Sequence, residues 1–353
     1  MNNNMSKKII IILSIILVLV IGGIIIYSND DKETLAAGST LADTVIAQSQ
    51  GTSWSAGATG VYQTNGHEYR YVGKEPNNYV RFNNDMYRII GVFDDYSHGV
   101  TGQNLVKLIR SRILGSFSWG NYNSSNTSET YSNYGNDWTG NTTGVKANLN
   151  VLLNEYFYNK TNTSNTYGNC SNWTYYYSNT NYRTNDCSDI VGYGLPSNLR
   201  NYIQTDATWY LYGYSGTGLS KQNFYLCERG DYDGCTSANS GAYATSTIAP
   251  IGLMYVSDYM YASGYYSSTD TTTGSSNYYG NQNWLYKGYE WTITPRSNNS
   301  TYSFYVYNYG YVSYSRAFYG LGARPTFYLK SDVYVTGGTG TFDDPYTIAC
   351  DNC

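Results

Sequence analysis

Alternating apolar and polar positions mark most of the elements in this chain, and the densest of them come early. Tyr79-Val80-Arg81-Phe82, the polar turn Asn83-Asn84-Asp85 and the run from Met86 to Phe93 predict a β-hairpin. Leu105-Val106-Lys107-Leu108-Ile109-Arg110 predicts a third strand, and these three should form much of a core sheet. The period then changes. Leu149, Leu152, Leu153, Tyr156 and Phe157 recur at three- and four-residue spacing, which predicts a helix packing one apolar face on the core. A second short helix is expected over residues 195–203, with Pro196 near its start. Residues 208–214, 223–227 and 251–255 carry shorter strand signals, and Ser257-Asp258 caps a turn into residues 259–262.

The C-terminal segment has the most regular pattern. Trp291-Thr292-Ile293-Thr294-Pro295 is followed by an alternating run over residues 302–315. There Phe304, Val306 and Val312 fall on one face of a hairpin, and Tyr305, Tyr307, Tyr311, Ser313 and Ser315 on the other. Asn308-Tyr309-Gly310 supplies the turn, with Gly310 free to take positive φ. Such a hairpin buries a thin aliphatic face and displays phenols. Tyr305, Tyr307, Tyr309, Tyr311, Tyr314, Arg316 and Tyr319 are therefore the candidate ligand-binding residues.

Strands, two helices and again strands joined by long loops predict an α+β domain with a mixed sheet over residues 61–348. No strand–helix alternation of a doubly wound sheet and no repeat of 20–50 residues is visible. Residues 29–60 read as a flexible tether in which Ser39 or Thr40 caps a short helix through Leu41, Val45 and Ile46, and residues 349–353 as a cysteine-containing tail. Residues 9–27 are apolar and uncharged, long enough at about 1.5 Å per residue to cross a hydrocarbon core of roughly 30 Å. Lys7 and Lys8 precede this run and Asp30 and Asp31 follow it, so residues 1–28 read as a cytoplasmic stub and transmembrane anchor with the rest outside. A cleaved signal peptide ending near Leu35-Ala36-Ala37 is the second choice, because its apolar region is normally shorter.

Composition narrows the function classes. Charged residues make up 13% and the net charge is −4, which argues against nucleic acid as a partner. The 44 tyrosines stand in an Asn-, Ser-, Thr- and Gly-rich background, the palette favoured by paratopes. A chain-wide compositional bias gives the same numbers, and the skew does extend beyond the hairpin. Six cysteines form three local pairs, Cys170 with Cys187, Cys227 with Cys235 and Cys350 with Cys353, which fits disulfides in an exported protein. The last pair has redox-motif spacing, but Asp351 would raise the thiol pKa and no helix follows to stabilise a thiolate. His67 and His98 stand in no metal-ligand or triad spacing, and no nucleophile elbow, phosphate loop or dinucleotide fingerprint occurs. The carboxylates Glu75, Asp137, Glu155, Glu228, Asp258 and Glu290 are scattered, so no catalytic constellation is recognisable.

Trp291-Thr292-Ile293-Thr294-Pro295, the alternating hairpin and Arg324-Pro325 before a final strand resemble a bacterial surface group related to C-type-lectin-like and formylglycine-generating-enzyme-like (sulfatase-modifying-factor-like) domains. Asn136-Asp137-Trp138, Glu228-Arg229-Gly230 and Gly252-Leu253-Met254-Tyr255 add to the resemblance, in the same order along the chain. It implies paired N- and C-terminal strands and long loops that form one ligand-facing surface. In some relatives the hairpin is diversified by adenine-targeted mutation, which would reach the codons of Tyr305, Tyr307, Tyr309, Tyr314 and Tyr319. Two departures matter. Glu75-Pro76-Asn77 precedes the first core hairpin and Asn136-Asp137-Trp138 is reversed from the lectin order, so no calcium or other cofactor is expected. No cysteine lies between Cys235 and Cys350, so sulfatase-activating chemistry is not expected either. The combined expectation is a membrane-anchored extracellular adhesion or recognition protein for a glycan, peptide or cell-surface ligand. A self-associating surface-layer component is the second expectation, and a polysaccharide hydrolase the third.

Overall fold

The computed structural model describes residues 39–82, 84–120, 136–142, 146–159, 174–177, 180–183, 194–233, 235–237, 243–264, 282–317 and 319–353. The apolar run 9–27 and the pair Cys170 and Cys187 lie outside the described residues, among which no helix is long and apolar enough to cross a membrane.

One compact unit spans Thr40–Cys353. It opens with helix α1 (Leu41–Ile46), where Thr40 Oγ1 accepts a hydrogen bond from the Asp43 amide and so caps the first turn. Leu41, Ala42 and Val45 are buried, the Leu41 amide donates to the Val333 carbonyl at 2.7 Å, and Thr40 bridges Tyr334. The cap was legible in the sequence. From Thr40 onward the segment is held in the fold by its apolar helix face, and Trp54 further on is buried as well.

The first sheet contains β1 (Gly60–Thr64), β2 (Glu68–Val72), β3 (Tyr79–Phe82), β4 (Asp85–Phe93) and β5 (Leu105–Arg110). β3 and β4 pair as the expected hairpin, Val80 opposite Tyr87 and Phe82 opposite Asp85. Residues 87–93 of β4 are buried without interruption, so both sheet faces are covered there. A single turn, α2 (Asp95–His98), precedes β5, and β6 (Gly115–Phe117) follows it. The expected core helix is α3 (Asn148–Val151) running on as π-wound turns over Leu152–Tyr158, and all five residues of its predicted apolar face are buried. A small ribbon of β7 (Thr174–Tyr177) and β8 (Thr180–Arg183) comes next, then α4 (Ser197–Arg200), which starts after Pro196 as expected.

β9 (Thr208–Tyr210) and β10 (Tyr212–Gly213) lead into α5 (Lys221–Arg229). Residues 223–227, expected as a strand, are instead the middle of this helix. Ser220 accepts from the Asn223 amide at its start and Gly230 takes φ +84° at its end, and these caps outweigh the β preference of Phe224 and Tyr225. The disulfide Cys227–Cys235 ties the helix to the segment before β11 (Thr236–Ser237). β12 (Ser246–Ile248) pairs with β9. Residues 251–255 make only a bridge, Gly252 to Thr326, before helix α6 (Val256–Tyr261).

The second sheet is built from β13 (Glu290–Pro295), β14 (Tyr302–Val306), β15 (Val312–Arg316) and β16 (Leu321–Ala323), in the order β15-β14-β13-β16-β6. β17 (Thr326–Tyr328) then crosses to the first sheet and pairs with β5. β18 (Tyr334–Gly337) and β19 (Thr347–Ala349) form a last hairpin, beside which Tyr346 bonds Tyr79 and Arg81 of β3. The disulfide Cys350–Cys353 closes the tail. The architecture is a mixed α+β fold dominated by sheet, with side chains of both sheets and of α1, α3, α5 and α6 in one core.

Candidate functional site

β14 and β15 pair with Phe304 opposite Tyr314, Tyr305 opposite Ser313 and Val306 opposite Val312. Side chains alternate across a strand, so this register sorts the hairpin into two faces. Phe304, Val306 and Val312 point into the core, with Phe304 edge-on to Phe224 of α5 at 5.4 Å. Asn308-Tyr309-Gly310 makes the turn. The Tyr307 amide donates to the Tyr311 carbonyl, the Gly310 amide to the Tyr307 carbonyl, both at 2.8 Å, and Gly310 sits at φ +85° as its place in the turn requires. Two phenols from outside the hairpin hold this turn: Tyr259 of α6 donates to the Gly310 carbonyl at 2.8 Å, and Tyr286 donates to the Asn308 carbonyl.

The opposite face carries a continuous set of tyrosine rings. Tyr307 lies 4.7 Å from Tyr311 in a stacked arrangement, 5.6 Å from Tyr309, and 5.0 Å edge-on from Tyr289. Tyr309 is 58% and Tyr289 41% exposed, so the set opens to solvent. Tyr289 has no place in the hairpin's alternation. It joins because β13 lies beside β14, a register that single-strand periodicity does not encode.

The seven candidate binding residues divide four ways. Tyr307, Tyr309 and Tyr311 are on the displayed face. Tyr305 points the same way but is 8% exposed, beneath Tyr289 at 6.2 Å and against Trp291 at 5.9 Å. It supports the face instead of displaying a phenol. Tyr314 and Arg316 lie on the Phe304 side of the hairpin. Tyr314 packs edge-on to Phe304 and Tyr302, with the Arg296 guanidinium 3.6 Å from its ring centre, and Arg316 Nε donates to the Tyr302 hydroxyl at 3.2 Å. Tyr319 follows β15, half-buried against the core, its amide donating to the Arg316 carbonyl.

The displayed face is uncharged. A hydrogen bond with Tyr307 pushes the Tyr289 phenol well above its ordinary pKa, burial pushes Tyr305 up to about 12, and burial beside Tyr307 raises Tyr311. These three phenols stay protonated through neutral pH and offer ring faces and O–H donors.

Beneath the hairpin lies a buried ionic network that fixes α5, α6 and β13 relative to one another. Asp258 accepts from the Tyr255 amide at the start of α6, and from Arg70 at 2.9 Å and Lys107 at 2.6 Å. Arg70 also pairs with Glu68 at 2.6 Å, and Glu68 accepts from Tyr225 of α5. Glu228 of α5 accepts from the Ser257 amide and hydroxyl and from Thr294 of β13 at 2.7 Å. The scattered carboxylates Glu228 and Asp258 thus meet in the core as structural links, at 0% and 1% exposure. Glu290 and Arg324 form a second buried link, a two-pronged pair at 2.6 and 2.8 Å directly after Tyr289.

Burial pushes the Glu228 carboxyl up to about 7 from an ordinary 4.5, with Arg229 and the hydroxyl donors offsetting only part of the shift. The folded state therefore holds this proton more tightly than the unfolded chain. The stability Glu228 contributes is complete below its ordinary pKa and is lost as pH rises through about 7. Glu228→Gln keeps the shape and removes the proton equilibrium. Between about pH 5 and about pH 8, wild type should lose stability relative to this variant, read as diverging melting temperatures. A pH-independent difference would show that Glu228 does not titrate in that window.

The motif residues weighed for calcium have intrachain bonds. Glu75 pairs with Arg88 at 3.0 Å, and Asp137 accepts from the Gly140 and Thr142 amides of its own turn. Asp332, Cys350 and Cys353 are the one grouping of metal-ligating side chains among the described residues, and those sulfurs are joined as a disulfide, not available as thiolates. No protein-family model, curated protein or solved structure matches the chain.

Proposed function

We propose that this chain is a single-pass cell-surface protein whose C-type-lectin-like domain binds an extracellular glycan or peptide through the tyrosine face of the β14–β15 hairpin. One observation carries this reading: Tyr289, Tyr307, Tyr309 and Tyr311 form a continuous, solvent-facing aromatic surface on a turn bonded from outside by Tyr259 and Tyr286. Rigid tyrosines bring large contact area at low conformational-entropy cost, and a turn fixed before binding lowers that cost further. Two closed disulfides suit an oxidising exterior. The lysine-preceded apolar run 9–27 supplies the anchor and the orientation.

The anchor and the binding face are tested together. Proteinase K added to intact cells should digest the domain, and the purified full chain should bind discrete features on arrays of cell-surface glycans and peptides. Protection of the domain in intact cells would remove the surface assignment. Concentration-dependent assembly of the chain, with no array feature bound, would favour the self-associating alternative.

A further inference from the structure

One pair in the buried ionic network is placed for chemistry as well as for support, independently of what the tyrosine face binds. Lys107 stands in β5 and Asp258 in the first turn of α6, and both side chains have 0% exposure. Lys107 Nζ donates to Asp258 Oδ2 at 2.6 Å. An ammonium has three protons to place, yet among the described residues Asp258 is its one hydrogen-bond partner. Otherwise it faces rings: Tyr255 at 4.4 Å, Trp209 at 5.1 Å, and Phe93 and Tyr328 each at 5.3 Å from ring centre. Two full charges are poorly served here, since each has lost its hydration.

The two charges are unequally held. Burial pulls the Lys107 amine down to about 8, with Arg70 and Arg229 adding to the pull and Asp258 opposing it. Burial raises the Asp258 carboxyl, but Lys107 and Arg70 together outweigh it and hold the group below the usual carboxylate range. The amine is the partner that sheds its charge, and a desolvated lysine amine is a nucleophile. Its target is fixed at both oxygens. Asp258 Oδ1 accepts from Arg70 Nη1 at 2.9 Å, and Oδ2 accepts from the Tyr255 amide at 2.9 Å as well as from Lys107. Arg70 therefore sits on the oxygen that would take negative charge if Cγ were attacked.

We propose that Lys107 and Asp258 condense into an intramolecular isopeptide bond, Nζ to Cγ, which joins β5 covalently to α6. One ammonium proton passes to Oδ2, and the freed lone pair on Nζ attacks Cγ. The tetrahedral intermediate carries its negative charge on Oδ1, facing Arg70. A second Nζ proton then moves to Oδ2, the Cγ–Oδ2 bond breaks, and water leaves. Nζ keeps its third proton, so one amide and one water account for every atom and no oxidant or cofactor enters. Contact between the two groups in the folded chain supplies the effective concentration that the step needs. The product removes two buried charges and leaves Arg70 paired with Glu68 at 2.6 Å. The surrounding rings keep water from returning to hydrolyse the amide.

Peptide mapping of the purified full chain by mass spectrometry tests this. A tryptic digest should contain one branched peptide, in which the residues around Lys107 are joined to those around Asp258, one water lighter than the sum of its parts. Peptides cleaved after Lys107 should be lost, because an acylated lysine is not a trypsin site. The branch should also be lost from Lys107→Met and from Asp258→Ala. Asp258→Ala destabilises the domain whether the pair is ionic or covalent, so the mass and not the stability tells the two apart. Linear peptides carrying free Lys107 and free Asp258 from the folded wild type would overturn the proposal. So would a water loss that maps elsewhere, such as a succinimide at another aspartate. Neither variant has to fold for the test to succeed, because the wild-type digest decides it.

Discussion

Asp258→Ala is expected to cost the domain about 3–5 kcal/mol of folding free energy, a large fraction of the roughly 5–15 kcal/mol that holds a typical domain. Asp258 is 1% exposed and takes two cations at once, Arg70 and Lys107, while also accepting the Tyr255 amide at the start of α6. Removing it leaves the cations without that partner in a low-dielectric core and takes away a helix cap. Arg70 keeps Glu68, so the greater burden falls on Lys107. Burial already pulls Lys107 down to about 8, against the pull of Asp258. Without Asp258 the amine would shed its proton at neutral pH, which limits the loss. Adding Lys107→Met should recover part of the stability, because a buried ion pair replaced as a unit costs far less than one broken in half. Urea denaturation of both variants measures this. A loss below about 1 kcal/mol for Asp258→Ala would mean that the network is not as dry or as coupled as its geometry indicates.

Replacing Tyr307, Tyr309 and Tyr311 together with serine should weaken ligand binding by about 2–4 kcal/mol, on the order of a hundred-fold, if each ring contributes about 0.5–1.5 kcal/mol by stacking. The melting temperature should move little, because these rings lie at the rim of the fold, not in its core. Tyr305→Ala should behave in the opposite way. Its ring sits between Trp291 and Tyr289, so truncation should cost a few kcal/mol of stability and disturb binding only through loss of the surface it supports. The same burial bears on diversification of the hairpin. Of the codons that adenine-targeted mutation would reach, those for Tyr307 and Tyr309 could vary without repacking the core, and the codon for Tyr305 could not.

How much of this was legible in the sequence depends on whether the determining interaction is local. The hairpin of β3 and β4, strand β5 and the apolar face of α3 were readable because each carries its own period over enough residues. The β14–β15 hairpin was readable for the same reason, down to Gly310 in its turn. Helix α5 was missed although both of its signals were present, Ser220 before it and Gly230 after it. The cluster Phe224-Tyr225-Leu226 reads as strand until the caps are weighed, and the helix's apolar side then packs Phe224 against Phe304.

The tyrosine face was half legible. Alternation placed Tyr307 and Tyr311 together, yet only the pairing of β13 with β14 reveals that Trp291 and Tyr289 cover Tyr305 and extend the face. Tyr314 and Arg316 were grouped with the displayed rings by proximity in sequence, and the register puts them on the opposite side. The ionic network was invisible for a different reason. Glu68, Lys107, Glu228 and Asp258 are distant in sequence and meet only through tertiary contacts, so nothing local marks them as partners.

The claim that the tyrosine face is the recognition surface is tested most directly by one comparison. The full-length wild type and the Tyr307, Tyr309 and Tyr311 serine variant are titrated side by side against the strongest feature found on the glycan and peptide arrays, with melting temperatures recorded for both. Loss of roughly a hundred-fold in affinity at an unchanged melting temperature is the expected result. Equal affinity in the two proteins would contradict the claim and place recognition elsewhere on the domain.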